Sequence, residues 1–166
     1  MLKLIGVILV LAADFLVIKY ISDKKKKEIN FISDTLTFLK MLTINIKDYK
    51  RPLFEAVITT HGEISKDIDS LITNFSIKDR EVSIRESLIS EFSKVSVLDH
   101  PTKKIILEYL HNVGRTTKEG MEDMLEMTAE RLKNVLDEKT ANEKKSKKLV
   151  SAGVYAVSIL IMILLY

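Results

Sequence analysis

Apolar residues crowd the two ends of the chain and recur at helical spacing between them. Leu2 to Ile21, LKLIGVILVLAADFLVIKYI, is interrupted by charge only at Lys3, Asp14 and Lys19. About 20 residues rising 1.5 Å each reach roughly 30 Å, the depth of a bilayer's hydrocarbon core. Leu149 to Tyr166 carries no Asp, Glu, Lys or Arg over eighteen residues and reaches about 27 Å by the same arithmetic. The pattern predicts two transmembrane helices, 1–21 and 149–166, enclosing a helical domain over 22–148. A cleaved leader fits the first run poorly. Only Lys3 precedes its apolar core, the run continues past Asp14, and a lysine cluster follows it.

Between the ends, Ile29, Ile32, Leu36, Leu39, Leu42 and Ile46 step by three and four, with Phe31 and Phe38 widening the stripe. This is the signature of one long amphipathic helix. Arg51-Pro52 breaks it, and Pro52 predicts the first turn of a short helix through Val57 and Ile58, stopped at Gly62. Ile64, Ile68, Leu71, Ile72 and Phe75 predict a third helix, and SIKD at 76–79 reads as a capping box for a fourth carrying Val82, Leu88, Ile89, Phe92 and Val95. DHPT at 99–102 opens a fifth, with Ile105, Ile106, Tyr109, Leu110 and Val113, and Gly114 offers it a left-handed close. TTKE at 116–119 opens a last helix striped by Met121, Met124, Leu125, Thr128, Leu132, Val135 and Leu136, and no proline follows. Methionines at the spacing of Met121, Met124 and Met127 read as core filler before they read as a binding groove.

Five glycines and two prolines in 166 residues reinforce the helical reading. The expected fold is all-α: an antiparallel bundle of about six helices flanked by two transmembrane helices. Cysteine is absent, which excludes disulfides, thiolate metal sites and a cysteine nucleophile.

Charge then sets the orientation. Lys24, Lys25, Lys26 and Lys27 follow the first apolar run, and Lys144, Lys145, Lys147 and Lys148 precede the second. Both clusters flank the same intervening segment, so the tendency of Lys and Arg to stay cytoplasmic places residues 22–148 in the cytoplasm. The whole chain is +3, yet residues 28–143 hold 16 Lys and Arg against 21 Asp and Glu, a balance of −5. The basicity is local, which suits contact with anionic lipid head groups, about 1 kcal/mol per cation, better than a nucleic-acid surface. Asp14 is expensive in lipid, roughly 2.5–3.5 kcal/mol at a helix centre, and is expected to face Ser151, Ser158 or a partner helix. Lys19 can snorkel to the interface.

Sites for chemistry are not apparent in the sequence. No glycine-rich phosphate loop precedes a Lys-Ser or Lys-Thr, and His61, His100 and His111 stand apart without metal-ligand spacing. The acidic pairs Asp67 with Asp69, Glu122 with Asp123, and Asp137 with Glu138 fall on helices as solvated faces. Neither an enzyme nor a cofactor is expected.

Several strings in order, MLKLIGVILV at the start, RPLFEA at 51–56, LEYLHNVGR at 107–115 and a last helix running into an apolar end, together resemble the stage III sporulation protein AB family of endospore-forming bacteria. The resemblance implies a non-enzymatic component of the channel joining mother cell and forespore. Its helical domain would be similar to the type II secretion F platform protein and would lie in the mother-cell cytoplasm, anchored in the outer forespore membrane. The implied partners are the companion AA protein, a secretion-type ATPase, the other channel proteins and, as an open alternative, further copies of the chain. Pro52 and Leu53 match the family's Pro-Leu pair. The family's Leu-Gly-x-x-Asp is here Val113-Gly114-Arg115-Thr116-Thr117, so no role of that aspartate carries over, though Thr116 or Thr117 can cap the helix. A competing reading is a ligand sensor with an outward-facing bundle, which requires the opposite topology. A lipid-bound enzyme is a third.

Overall fold

The structure is a computed structural model that describes residues 2–60, 62–78 and 84–165. The side chains of 2–11, 14, 74–78, 118, 158, 160–162, 164 and 165 lie outside that description, as do His61, read as standing apart from any metal site, and Val82, expected on the fourth helix. Among the described residues all regular structure is helical, in six helices: α1 Leu2–Lys47, α2 Leu53–Thr59, α3 Lys66–Lys78, α4 Ile84–Lys94, α5 His100–Asn112 and α6 Lys118–Leu165. Contacts divide the chain into a unit of residues 1–29 with 137–166 and a unit of residues 30–136.

The unit of residues 30–136 holds the core. Phe31, Ile32, Phe38, Leu39 and Leu42 of α1 are buried, as the three-and-four spacing requires, together with Val57, Ile68, Ile72, Leu88, Phe92, Ile106, Tyr109, Leu110 and Leu132 from the other helices. Phe38 stacks on Phe92 with centroids 5.9 Å apart. Met121 and Met124 pack in or against the core, whereas Met127 is 56% exposed. Polar contacts cross-brace the packing. The Tyr109 hydroxyl is bonded to Thr43 of α1. The Arg85 guanidinium of α4 donates to the Val113 carbonyl at 3.0 Å, and Lys47 of α1 pairs with Glu122 of α6.

Helix ends follow local chemistry. Asp99 caps α5 by accepting from the Thr102 amide at 3.0 Å, with Pro101 in the first turn. Thr117 caps α6 through the Gly120 amide at 3.2 Å. Gly114 (φ +73°) and Gly62 (φ +82°) sit in the left-handed region after α5 and α2.

Two boundaries differ from the sequence expectation. Pro52 is the N-cap of α2 rather than its first residue, and its carbonyl accepts from Ala56 at 2.9 Å. A proline has no amide for the capping network and extended ψ suits its preferred φ. Ser76 lies inside α3, which runs to Lys78, rather than at the start of a helix, and its side chain lies outside the described residues. Asp79 lies outside the described residues. Asp69, expected on a solvated face, accepts from the Gly62 amide at 3.0 Å and closes the α2–α3 turn.

Candidate functional site

The unit of residues 1–29 and 137–166 gathers the lysine clusters. Helix α1 and helix α6 run antiparallel within it, as two contacts fix: Ser22 Oγ donates to Glu143 Oε1 at 3.1 Å, and Lys139 Nζ donates to Glu28 Oε1 at 2.8 Å. Ile18, Ile21, Ser22 and Lys25 of α1 face Glu143, Ser146, Lys147 and Val150 of α6 across one crevice. Each set is spaced three, one and three residues apart, the seam spacing of a helix pair. The seam changes character along its length. It is ionic at Glu28 and Lys139, mixed at Ser22 and Glu143, and apolar at Ile18 and Val150.

This register locates the cations. Lys24–Lys27 lie between the two fixed contacts, level with residues near 140–143, while Lys144–Lys148 lie on the side of Glu143 nearer the chain ends. The clusters therefore form two adjoining tiers on one helix pair, and Lys19, level with residues 146–149, belongs to the second tier. Lys24, Lys26, Lys27, Lys144, Lys145, Lys147 and Lys148 are exposed, and Lys25 is half-buried in the crevice. Tyr20, 73% exposed, stands beside them.

Towards the chain ends the same pair exposes large apolar side chains. Phe15 and Leu16 on α1, and Leu149, Tyr155, Val157 and Ile159 on α6, are all more than half exposed. Apolar surface around the whole circumference of a helix is not stable in water on its own. Among the described residues, no helix is long and apolar enough to cross a membrane. Both apolar runs extend into residues outside that set. The expected partner of Asp14 falls there too, since the side chains of Asp14 and Ser158 are not described. The backbone register sets Asp14 level with residues 151–154, nearer Ser151 than Ser158.

The sequence separates Ser22 from Glu143 and Glu28 from Lys139 by more than a hundred residues, so their pairing was not foreseeable position by position. The matching three-one-three spacing on the two segments was the available clue. In the other unit, His100 and His111, eleven residues apart on one face of α5, both line a groove between α4 and α5, with Lys103 and Lys104. Among the described residues no group of His, Asp or Glu is arranged to hold a metal ion.

The profile of stage III sporulation protein AB matches residues 3–166. The chain belongs to this family. The match runs from the first apolar segment through both lysine clusters to the last helix, so both units of this stage III sporulation protein AB member fall inside the shared architecture. Membership supports a role in sporulation. No curated protein and no solved structure matches the chain.

Proposed function

We propose that this protein is a membrane-anchored, non-enzymatic platform of the mother cell to forespore channel. In this reading the ends of α1 and α6 cross the outer forespore membrane as an antiparallel pair, and residues 30–136 stand in the mother-cell cytoplasm to dock the companion secretion-type ATPase. One observation carries it. Among the described residues, the helix pair passes from an ionic seam through two tiers of lysine to exposed large apolar side chains, the order of environments met on going from cytoplasm through head groups into lipid. The antiparallel pairing supports a two-span hairpin, because it sets both apolar runs at the same end.

The topology is tested by fusing a periplasmic-type reporter, alkaline phosphatase, and a cytoplasmic one, a fluorescent protein, in turn at the loop 48–51 and after Ile163. The expected result is fluorescence from the loop and phosphatase activity from the end. Phosphatase activity at the loop would favour the outward-facing sensor instead. Docking is tested by co-purification of the full-length chain with the ATPase from sporulating cells, and its loss when exposed residues of unit 30–136 are charge-reversed supports the platform.

A further inference from the structure

Two surfaces of the unit formed by residues 30–136 answer each other in charge. The first is a groove of about 300 Å³ between α4 and α5. Ile89 and Leu107 give it an apolar floor, and His100, Lys103, Lys104 and His111 stand around it. Lys103 donates to the Ser93 carbonyl at 2.8 Å, which pins α5 to the end of α4, and it is in no ion pair among the described residues. Glu108, the acidic residue on the wall, is shared between Arg131 at 3.2 Å and Lys104 at 4.0 Å, so two cations stand against one carboxylate. The rim is therefore cationic.

The second surface is the outer face of α6. At about 3.6 residues per turn, Glu119, Asp123, Glu126 and Glu130 fall in one narrow stripe, opposite the side that buries Met121, Thr128 and Leu132. All four are exposed. Among the described residues, the ion pairs of this part of α6 are Glu122 with Lys47 and Arg131 with Glu108, so none of the four stripe carboxylates is in an ion pair, although Lys47 acts on Glu119 and Lys133 lies at the C-terminal edge of the stripe. Met127 projects beside it as an exposed apolar knob.

We propose that the α4–α5 groove receives the outer face of α6 from a second copy of this chain. Met127 seats over Ile89 and Leu107, and the stripe carboxylates face Lys103 and Lys104. The occupant is a second copy because the chain itself carries both halves of the complementarity, an acidic stripe flanked by an apolar knob and a cationic groove with an apolar floor. The two patches differ, so the contact is head-to-tail: each copy in a pair retains an open groove or an open stripe, and assembly proceeds past the dimer to a ring or a row. The proposal does not depend on the membrane topology.

The chain has no cysteine, so introduced thiols report contacts unambiguously. Full-length protein in detergent micelles is mixed from two tagged populations, His111→Cys and Met127→Cys, and treated with a short bismaleimide. The expected product is the mixed cross-link, well above either like-with-like pairing and above Thr59→Cys with Met127→Cys, a control on another exposed site. Adding Lys103→Glu with Lys104→Glu to the first population, or Asp123→Lys with Glu126→Lys to the second, is expected to lower the yield about tenfold, and mixing the two reversed populations to restore it. Equal yields in all pairings, or a cross-link indifferent to both reversals, would overturn the proposal. So would an acidic amphipathic peptide that occupies the groove of a chain showing no self-cross-link. If circular dichroism shows a reversed chain to be unfolded, the mixed against like-with-like yields of the unreversed chains decide the matter alone.

Discussion

Two buried threonines show how a single hydroxyl can stabilise or burden the fold. Thr43 Oγ1 donates to the Leu39 carbonyl at 2.8 Å, and a hydroxyl has one proton, so its bond to Tyr109 must be one in which the phenol donates. Thr43→Val strands a buried phenol and is expected to cost about 1–3 kcal/mol in urea unfolding. Thr102 Oγ1 is buried with no partner among the described residues. Thr102→Val therefore removes an unsatisfied group at nearly constant shape and is expected to leave stability unchanged or raise it. A loss of stability comparable to that of Thr43→Val would contradict this assignment. Burial pushes the Tyr109 phenol above the ordinary tyrosine value, opposed in part by Thr43, which can turn and donate to a phenolate. The proton is thus held more tightly in the folded state than in the unfolded. The resulting stability is complete below about pH 10 and is lost as pH rises through the folded value. The hydrogen bond to Glu122 raises Lys47 as well, with the same sign. Urea midpoints measured at pH 8 and above 10 are expected to fall for the natural chain and to fall less for Tyr109→Phe; equal slopes would remove Tyr109 from the account.

At the scale of elements, the helix starts that depend on one side chain were legible in the sequence, and those that depend on the chain's path were not. Asp99 and Thr117 cap as their positions in DHPT and TTKE suggest. Pro52 stands one place earlier than expected, and Ser76 stays inside α3, because a cap forms only where the backbone leaves the helix, and a string such as SIKD does not compel it to. Gly114 was readable as a left-handed close. A Cβ there would meet Arg85 at 3.7 Å, an ordinary contact, so Gly114→Ala tests the backbone alone. It is expected to cost about 1–2 kcal/mol in thermal or urea unfolding, and a neutral result would show that the turn relaxes to negative φ. On the proposed topology, replacing Lys24–Lys27 by glutamate is expected to disturb membrane insertion while leaving the helicity of the chain and ATPase binding in place, since those side chains are exposed or line only the seam. Carbonate extraction of membranes from cells bearing the variant measures it, and unaltered insertion would count against the lysines as the determinant of orientation.

For the molecule as a whole, the sequence alone determined that the chain is helical, which positions are apolar and where the cations gather, because helix periodicity and charge clustering are local properties written in spacing. Its membership in a sporulation family was likewise readable from strings held in order along the chain. Tertiary structure alone decided which distant residues meet. It paired Glu28 with Lys139 and Ser22 with Glu143, and stacked the two lysine clusters as adjoining tiers. Those meetings depend on the register of one helix against another, and register is set by many packing contacts acting together across long loops of chain, a quantity that no single stretch of sequence contains.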